Sequence, residues 1–368
     1  MNPTRILLAV GLLVAAIAFV FVYKYSTGNG NVAGLPVMGC SGNTVVRGYY
    51  GGEKSSFIAD EEVKSILATR YCLSIDGKKA GSTEMVTTQP LGNNDDFIWP
   101  SNSVSLAIYK NRQGLSVGSA NIFNSPMVFY TRKPIAEALI KQGVVTVSPE
   151  GYAQITDLEK FISFATDGKK WRDIGVDMPG SVSIRTTDPN ISNSGFMFLG
   201  MLANIYNNGA IPTEAEAQKE VARIKTFFQR LGFMDQSSSD LFQQYVTTGM
   251  GSRPIIVGYE SQLIEFALSN PGRKTEIESE FRMLYPMPTM WSSHPFVARS
   301  SAGKRLLEAL KDPDLQRIAW TRHGFRSGLE GAKNDPKQLN VSGIPAGINS
   351  VTDMPSPSVM EFLLLGIR

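Results

Sequence analysis

The alternation of apolar and polar positions divides the chain into three regimes. Residues 6–23 form a run of 18 uncharged residues between Arg5 and Lys24. That length suffices for a helix to cross a bilayer. Residues 26–34 are rich in Gly and Asn and read as a linker. Beyond them, short apolar runs alternate with amphipathic stretches. Residues 44–50, 72–75 and 96–99 predict strands. Residues 60–70 predict a helix, with Val63, Ile66 and Leu67 on one face. Residues 122–130 predict an apolar strand interrupted by Asn124-Ser125-Pro126, and Pro inside a strand points to an edge or to a crossing between units. Amphipathic helices are expected over 135–142, 156–166 and 214–231, and Ser237-Ser238-Ser239 caps another over 240–248. Residues 281–289 are extended and Pro-punctuated, a second candidate crossing. Helices follow over 302–310, 314–320 and 358–365.

Strands alternating with helices at this spacing argue for a parallel α/β sheet. Ligands in such sheets bind beyond the carboxyl ends of the strands. Several polar turns occupy that position: Gly52-Glu53-Lys54-Ser55, Gly81-Ser82-Thr83-Glu84, Trp99-Pro100-Ser101 and Gly258-Tyr259-Glu260. The fullest example is 183–204. Its strand end at 183–186 leads into a turn at 187–194 containing Asp188, Ser192, Asn193 and Ser194. An apolar helix then begins at Gly195. A helix start carries unpaired N–H groups and partial positive charge, so it suits polar or anionic ligands. Ser192 or Ser194 could equally serve only as an N-cap.

The length of 368 residues allows two lobes or domains. With 42% hydrophobic and 19% charged residues, the composition is that of an ordinary globular protein. The net charge is +3 with the basic residues scattered, which excludes a nucleic-acid surface as the leading reading. No small-x-small cleavage site follows residues 6–23, which favours an uncleaved anchor over a cleaved signal. Arg5 precedes the span, so the amino terminus is expected in the cytoplasm. The protein would then be a single-pass protein of the inner or cytoplasmic membrane, with its C-terminal domain extracytoplasmic. Cys40 and Cys72 are the only cysteines. An exported domain can join them, and adjacent parallel strands would bring them to one end of the sheet. Two buried free thiols are the alternative.

The order of these pieces resembles the type II periplasmic solute-binding proteins, in their molybdate-, sulfate- and phosphate-type branch. Asn124-Ser125-Pro126-Met127-Val128-Phe129 resembles the first hinge strand. Residues 188–198 resemble the ligand-binding turn and helix of the second lobe. Ile255-Ile256-Val257-Gly258-Tyr259-Glu260-Ser261 resembles the strand that ends in a ligand-facing Tyr. Leu284-Tyr285-Pro286-Met287-Pro288 and residues 314–326 resemble the return strand and closing helix. The likeness spans roughly residues 40–330, and along its length the chain also resembles membrane-anchored substrate-binding proteins. The resemblance implies an α/β fold of two hinged lobes behind one transmembrane helix. It implies an anchor at 1–25, a linker at 26–34, lobe I at 35–125 plus 286–368, and lobe II at 126–285. It further implies one small polar or anionic solute between the lobes, an ABC permease as partner, and no cofactor. By position, Ser55, Ser82 and Tyr259 match contacts to an oxyanion, and Ser192 to Gly195 match the helix end facing it. Lys54, Ser101, Asn124 and Ser125 complete the expected site.

Glu53, Glu84, Asp188 and Glu260 depart from that pattern, because bare carboxylates repel a dianion at close range. They suit a protonated oxyanion, an amine- or hydroxyl-bearing solute, or a metal complex. Alternatively Glu53 and Glu84 accept only from backbone N–H groups, or Lys54 and Arg185 neutralise the cluster. Catalysis has little support. Ser293-His294 is too little for a triad, no nucleophile elbow is present, and zinc spacing and a P-loop are lacking. A membrane-anchored module for sensing or envelope assembly is the alternative to a transport role.

Overall fold

The computed structural model describes Cys40 and residues 42–87, 95–113 and 116–368. The chain divides into two units, residues 1–41 and 42–368, and the elements below lie in the second. The expected anchor at 6–23 and linker at 26–34 lie outside the described residues. Among the described residues, no helix is long and apolar enough to cross a membrane.

The first sheet starts with Thr44–Tyr50 (β1). Ser55–Ala59 (α1) and Glu61–Arg70 (α2) follow. Asp60 caps α2, its carboxylate accepting from the N–H groups of Glu62 and Val63. Leu73–Lys79 (β2), Ser82–Thr87 (α3), Phe97–Trp99 (β3) and Ser103–Gln113 (α4) complete the opening section. β1 pairs in parallel with β2 and with β3, as the alternation predicts. The register sets Thr44 opposite Leu73. Both cysteines are disulfide-bonded.

Gly118–Arg132 (β4) then runs 15 residues without a break. Its first part lies in one sheet and its last part in another, so Asn124-Ser125-Pro126 marks the crossing inside one strand. The section around the second sheet opens with Lys133–Lys141 (α5), Val145–Val147 (β5), Ala153–Ile155 (β6), Leu158–Thr166 (α6) and Ile184–Arg185 (β7). Asn193–Tyr206 (α7), Glu214–Leu231 (α8), Ser238–Thr247 (α9), Ile255–Tyr259 (β8), Glu260–Ser269 (α10), Lys274–Glu280 (α11) and Phe281–Pro286 (β9) complete it. β8 and β9 flank β4 antiparallel, whereas β7 joins β8 and β6 joins β9 in parallel. α7 is buried along its whole length, which explains its nearly unbroken apolar sequence.

Trp291–Ala298 (β10) returns to the first sheet and pairs antiparallel with β3 and β4. The apolar pattern missed this strand because its register shifts between His294 and Pro295. Ser301–Ala309 (α12), Pro313–His323 (α13), Arg326–Ser327 (β11) and Pro357–Gly366 (α14) end the chain. Both sheets are therefore mixed rather than parallel, because the chain must run out along β4 and back along β9 and β10. α14 packs on both α8 and α4, placing Val359, Met360 and Leu363 in a core shared with α7.

Behind the crossing, α10 of lobe II packs on α13 of lobe I. Gly324, in a left-handed conformation, permits this approach, since a Cβ there would lie 2.7 Å from Ile264. Beside it, Arg326 grips Glu260 through Nε–Oε2 at 2.6 Å and Nη2–Oε1 at 2.9 Å. The Tyr285 hydroxyl donates to the same carboxylate at 2.7 Å, and Arg326 also donates to Pro345 O at 2.7 Å. Glu260 is fully buried. Removing one member of such a pair strands the other charge away from water. Arg326→Met is therefore expected to cost about 3–5 kcal/mol in urea unfolding, with much of that recovered by adding Glu260→Gln. A single-variant loss below about 1 kcal/mol would show that the pair carries no such weight.

Candidate functional site

The ends of β1 and β2 meet the starts of α7 and α9 across a cleft of ≈ 340 Å³. Lobe I supplies Gly51, Gly52, Glu53, Lys79, Gly81, Ser82 and Glu84. Lobe II supplies Ile191, Ser192, Asn193 and residues 236–240. The starts of α3, α7 and α9 all reach it, and their first N–H groups have no partner within the helix. Ser192 does not cap α7. Thr187 takes that role, its hydroxyl accepting from Gly195 N at 2.8 Å. The Ser192 hydroxyl instead lies 3.3 Å from that of Ser194. Ser82 Oγ accepts from Ser101 N at 2.9 Å, which leaves its hydroxyl hydrogen to point elsewhere.

Beneath the cleft lies a buried polar network. Lys54 is fully buried, and its ammonium donates to Glu53 Oε1 at 2.6 Å, Ser101 Oγ at 2.7 Å and His294 Nδ1 at 3.2 Å. Three N–H groups thus meet three acceptors. Burial pulls the Lys54 ammonium below its ordinary value, while Glu53 pulls the other way. Burial alone would raise the Glu53 carboxyl, but Lys54, His294 and the Ser101 hydroxyl together outweigh it and hold the group at about 2. Burial and the charge of Lys54 push His294 well below the ordinary histidine range, so the ring is neutral. With its proton on Nε2 the ring donates to Ser292 Oγ at 3.2 Å, and Ser292 donates to Ser101 O at 2.8 Å. That tautomer satisfies every group in the chain.

Asn193 carries the network across the lobes. Its Nδ2 donates to Ser101 O at 3.0 Å and to the Tyr259 hydroxyl at 2.8 Å, and its Oδ1 accepts from Asn102 Nδ2. Tyr259 is fully buried, and its pKa is raised well above the ordinary range by burial and by the charge of Glu53.

The structure sorts the expected site residues into three groups. Glu53, Ser82, Glu84, Ser192 and Asn193 line the cleft together. Lys54, Ser101, Ser194 and Tyr259 are buried in the network rather than in its wall. The remainder have other partners. Ser55 Oγ donates to Gly52 O at 2.5 Å, and Asn124 Oδ1 accepts from Asn121 at 2.8 Å. Ser125 Oγ accepts from Ser261 N at 3.1 Å, and Asp188 closes its own turn onto Asn190 N at 2.8 Å. Gly195 spends its N–H on Thr187, and Glu260 belongs to Arg326. Arg185 donates to Leu231 O and leaves the cleft carboxylates alone. Sequence reasoning took Ser237–Ser239 only as a cap and overlooked Gln236 and Asp240. Their position after a helix rather than a strand hid them. Asp188 N donates to Asp235 O at 3.0 Å, which brings that segment beside the Ser192 turn.

No protein-family model matches the sequence, and no curated protein does. Solved structures do match its shape. The sulfate-binding protein SubI from Mycobacterium tuberculosis is 13% identical with a TM-score of 0.51, over 87% of this chain and 96% of that one. A substrate binding protein of an ABC transporter from Agrobacterium tumefaciens is 12% identical with a TM-score of 0.55, over 90% and 96%. Apo ferric ion-binding protein A from Pasteurella haemolytica is 11% identical with a TM-score of 0.54, over 88% and 96%. The chain therefore has the two-lobed mixed α/β fold of periplasmic solute-binding proteins.

Two tests address the site itself. A Cβ at position 81 would lie 1.9 Å from Ile191 O across the cleft, so Gly81→Ala should hold the lobes apart. Small-angle scattering should then show a larger radius of gyration than in wild type, and an unchanged value would refute the contact. The second test concerns pH. Glu53 titrates at about 2 in the fold against an ordinary 4.5. The unfolded chain therefore binds the proton first as pH falls. Its stabilising effect is full above about pH 4.5 and is lost as pH falls towards 2, on the order of 3 kcal/mol. Urea unfolding of wild type and Glu53→Gln should converge over that window, and a constant gap would contradict the assignment.

Proposed function

We propose that the protein binds a small polar or anionic solute in the cleft between its lobes, outside the membrane, and delivers it to an ABC-type importer. The observation that carries this reading is the convergence of helix starts from both lobes on one cleft of ≈ 340 Å³. Their N–H groups and the hydroxyls of Ser82, Ser192, Ser238 and Ser239 make a surface rich in donors. Glu53 is neutralised by Lys54, and Glu84 accepts from Gly81 N at 3.1 Å. These carboxylates temper rather than cancel the positive character, which favours a solute with hydroxyls or a protonated oxyanion over a bare dianion. A ligand touching both walls would favour the closed arrangement. Attachment through residues 6–23 places the lobes at the membrane surface in this reading.

Chemistry on the solute is not part of the proposal. Ser101 and Lys54 form a nucleophile-and-base pair in outline, as do Ser292 and His294. All four are fully buried, and each hydroxyl is already hydrogen-bonded.

Native mass spectrometry of the full-length protein, purified without added ligand, should reveal a small adduct that is lost on unfolding. Ser82→Ala and Ser192→Ala, one from each lobe, should each weaken its binding by about 0.5–1.5 kcal/mol. Absence of any adduct, together with no change in Tm across a panel of polar and anionic solutes, would contradict the proposal.

A further inference from the structure

Lobe II carries a second pocket, of ≈ 370 Å³, that shares no lining residue with the cleft. It lies between the carboxyl ends of α6 and α8 and the strand leading into β7. Its wall holds two arginines, Arg185 and Arg230, two serines, Ser181 and Ser183, and no carboxylate. Arg185 is fixed by donating to Leu231 O, one of its five N–H groups. Arg230 Nη1 lies 2.9 Å from where a Cβ on Gly168 would stand, so its guanidinium rests on the turn that ends α6. Ser181 Oγ accepts from Lys170 Nζ at 3.0 Å, which brings a third cation to the rim and leaves the Ser181 hydroxyl hydrogen free to donate.

Neither arginine has an ion-pair partner in the wall. Among the described residues no carboxylate lies within 4.0 Å of the side-chain nitrogens of Arg185 or Arg230, whereas most other arginines have such a partner. Burial, and then the nearby Arg253, disfavour the charge of Arg185, while Asp235, engaged with Arg253 at 3.4 Å, favours it. The ends of α6 and α8 each offer only about half a negative charge. Two guanidiniums and an ammonium at the rim exceed that, even with Asp235 acting on Arg185 from outside the wall. Two arginines and two serines lining one space match an oxyanion with several acceptor oxygens.

We propose that this pocket is an anion site on lobe II, independent of the cleft, that takes a phosphoryl or sulfate group, free or carried on a small molecule. Arg230 and Arg185 grip the oxygens, and Ser181 and Ser183 donate to those remaining.

Inorganic phosphate is the probe. Hydrogen exchange of the full-length protein should slow in the peptides covering 165–185 and 227–231 with phosphate, relative to chloride at matched ionic strength. Arg230→Gln, at an exposed position, should weaken phosphate binding about tenfold by calorimetry, with Arg230→Lys in between. Arg185→Gln should weaken it as well, with circular dichroism confirming that the fold survives loss of the Leu231 contact. No phosphate-specific protection, or equal affinity in wild type and Arg230→Gln, would overturn the site. Protection confined to peptides 51–53, 79–84 or 191–193 would place phosphate in the cleft instead and would likewise overturn it. None of these results depends on the cleft having a ligand.

Discussion

An ammonium buried away from water must find an acceptor for each of its N–H groups. Lys54 finds them on Glu53, Ser101 and His294, which arrive from the end of β1, the turn after β3 and the returning strand β10. Those three segments are thereby fixed against one another. Ser101 then presents its carbonyl to Asn193 of the other lobe, and Asn102 presents its amide to the same side chain. The lobes meet through a network that begins with one lysine. Its members are costly to bury and costly to separate, so small changes there should be felt as changes in lobe arrangement.

Two other contacts bound the movement this network can permit. At the back, the Glu260–Arg326 pair ties α10 to β11, and the packing of Ile264 on Trp320 ties α10 to α13. At the side, α14 rests on a helix from each lobe. The cleft brings helix starts from both lobes together with hydroxyls, and this polar lining suits it to exchange contacts between the lobes for contacts with a solute. Gly81 shows how tight the closed fit is, since no side chain could stand between it and Ile191 O.

Much of the fold was legible in the sequence. The strand over 44–50 and the helix over 214–231 fall where apolar spacing places them, and the interruption at Asn124-Ser125-Pro126 marks the crossing between sheets. Less legible was any element whose pattern was broken for a tertiary reason. β10 carries a register shift at Pro295, and α10 begins directly after the last residue of β8, so the apolar spacing of each is disturbed. The turns at Ser82 and Ser192 could be located because they follow strands. The partners of their polar residues could not, because a carboxylate in a turn looks the same whether it meets solute, a backbone N–H or an arginine. Glu260 is the clear case: its position suggested the cleft, and only Arg326, 66 residues away, shows that it is a structural anchor.

The claim that the buried network sets the lobe arrangement can be tested without knowing the solute. Spin labels at Glu61 and Lys219, exposed positions on the two lobes, would report the distance between them by double electron–electron resonance. The account predicts a shorter, narrower distance distribution in the otherwise wild-type protein. Asn193→Ala should lengthen and broaden it, because that change removes the amide linking Ser101, Asn102 and Tyr259. The same distribution in both proteins would contradict the claim.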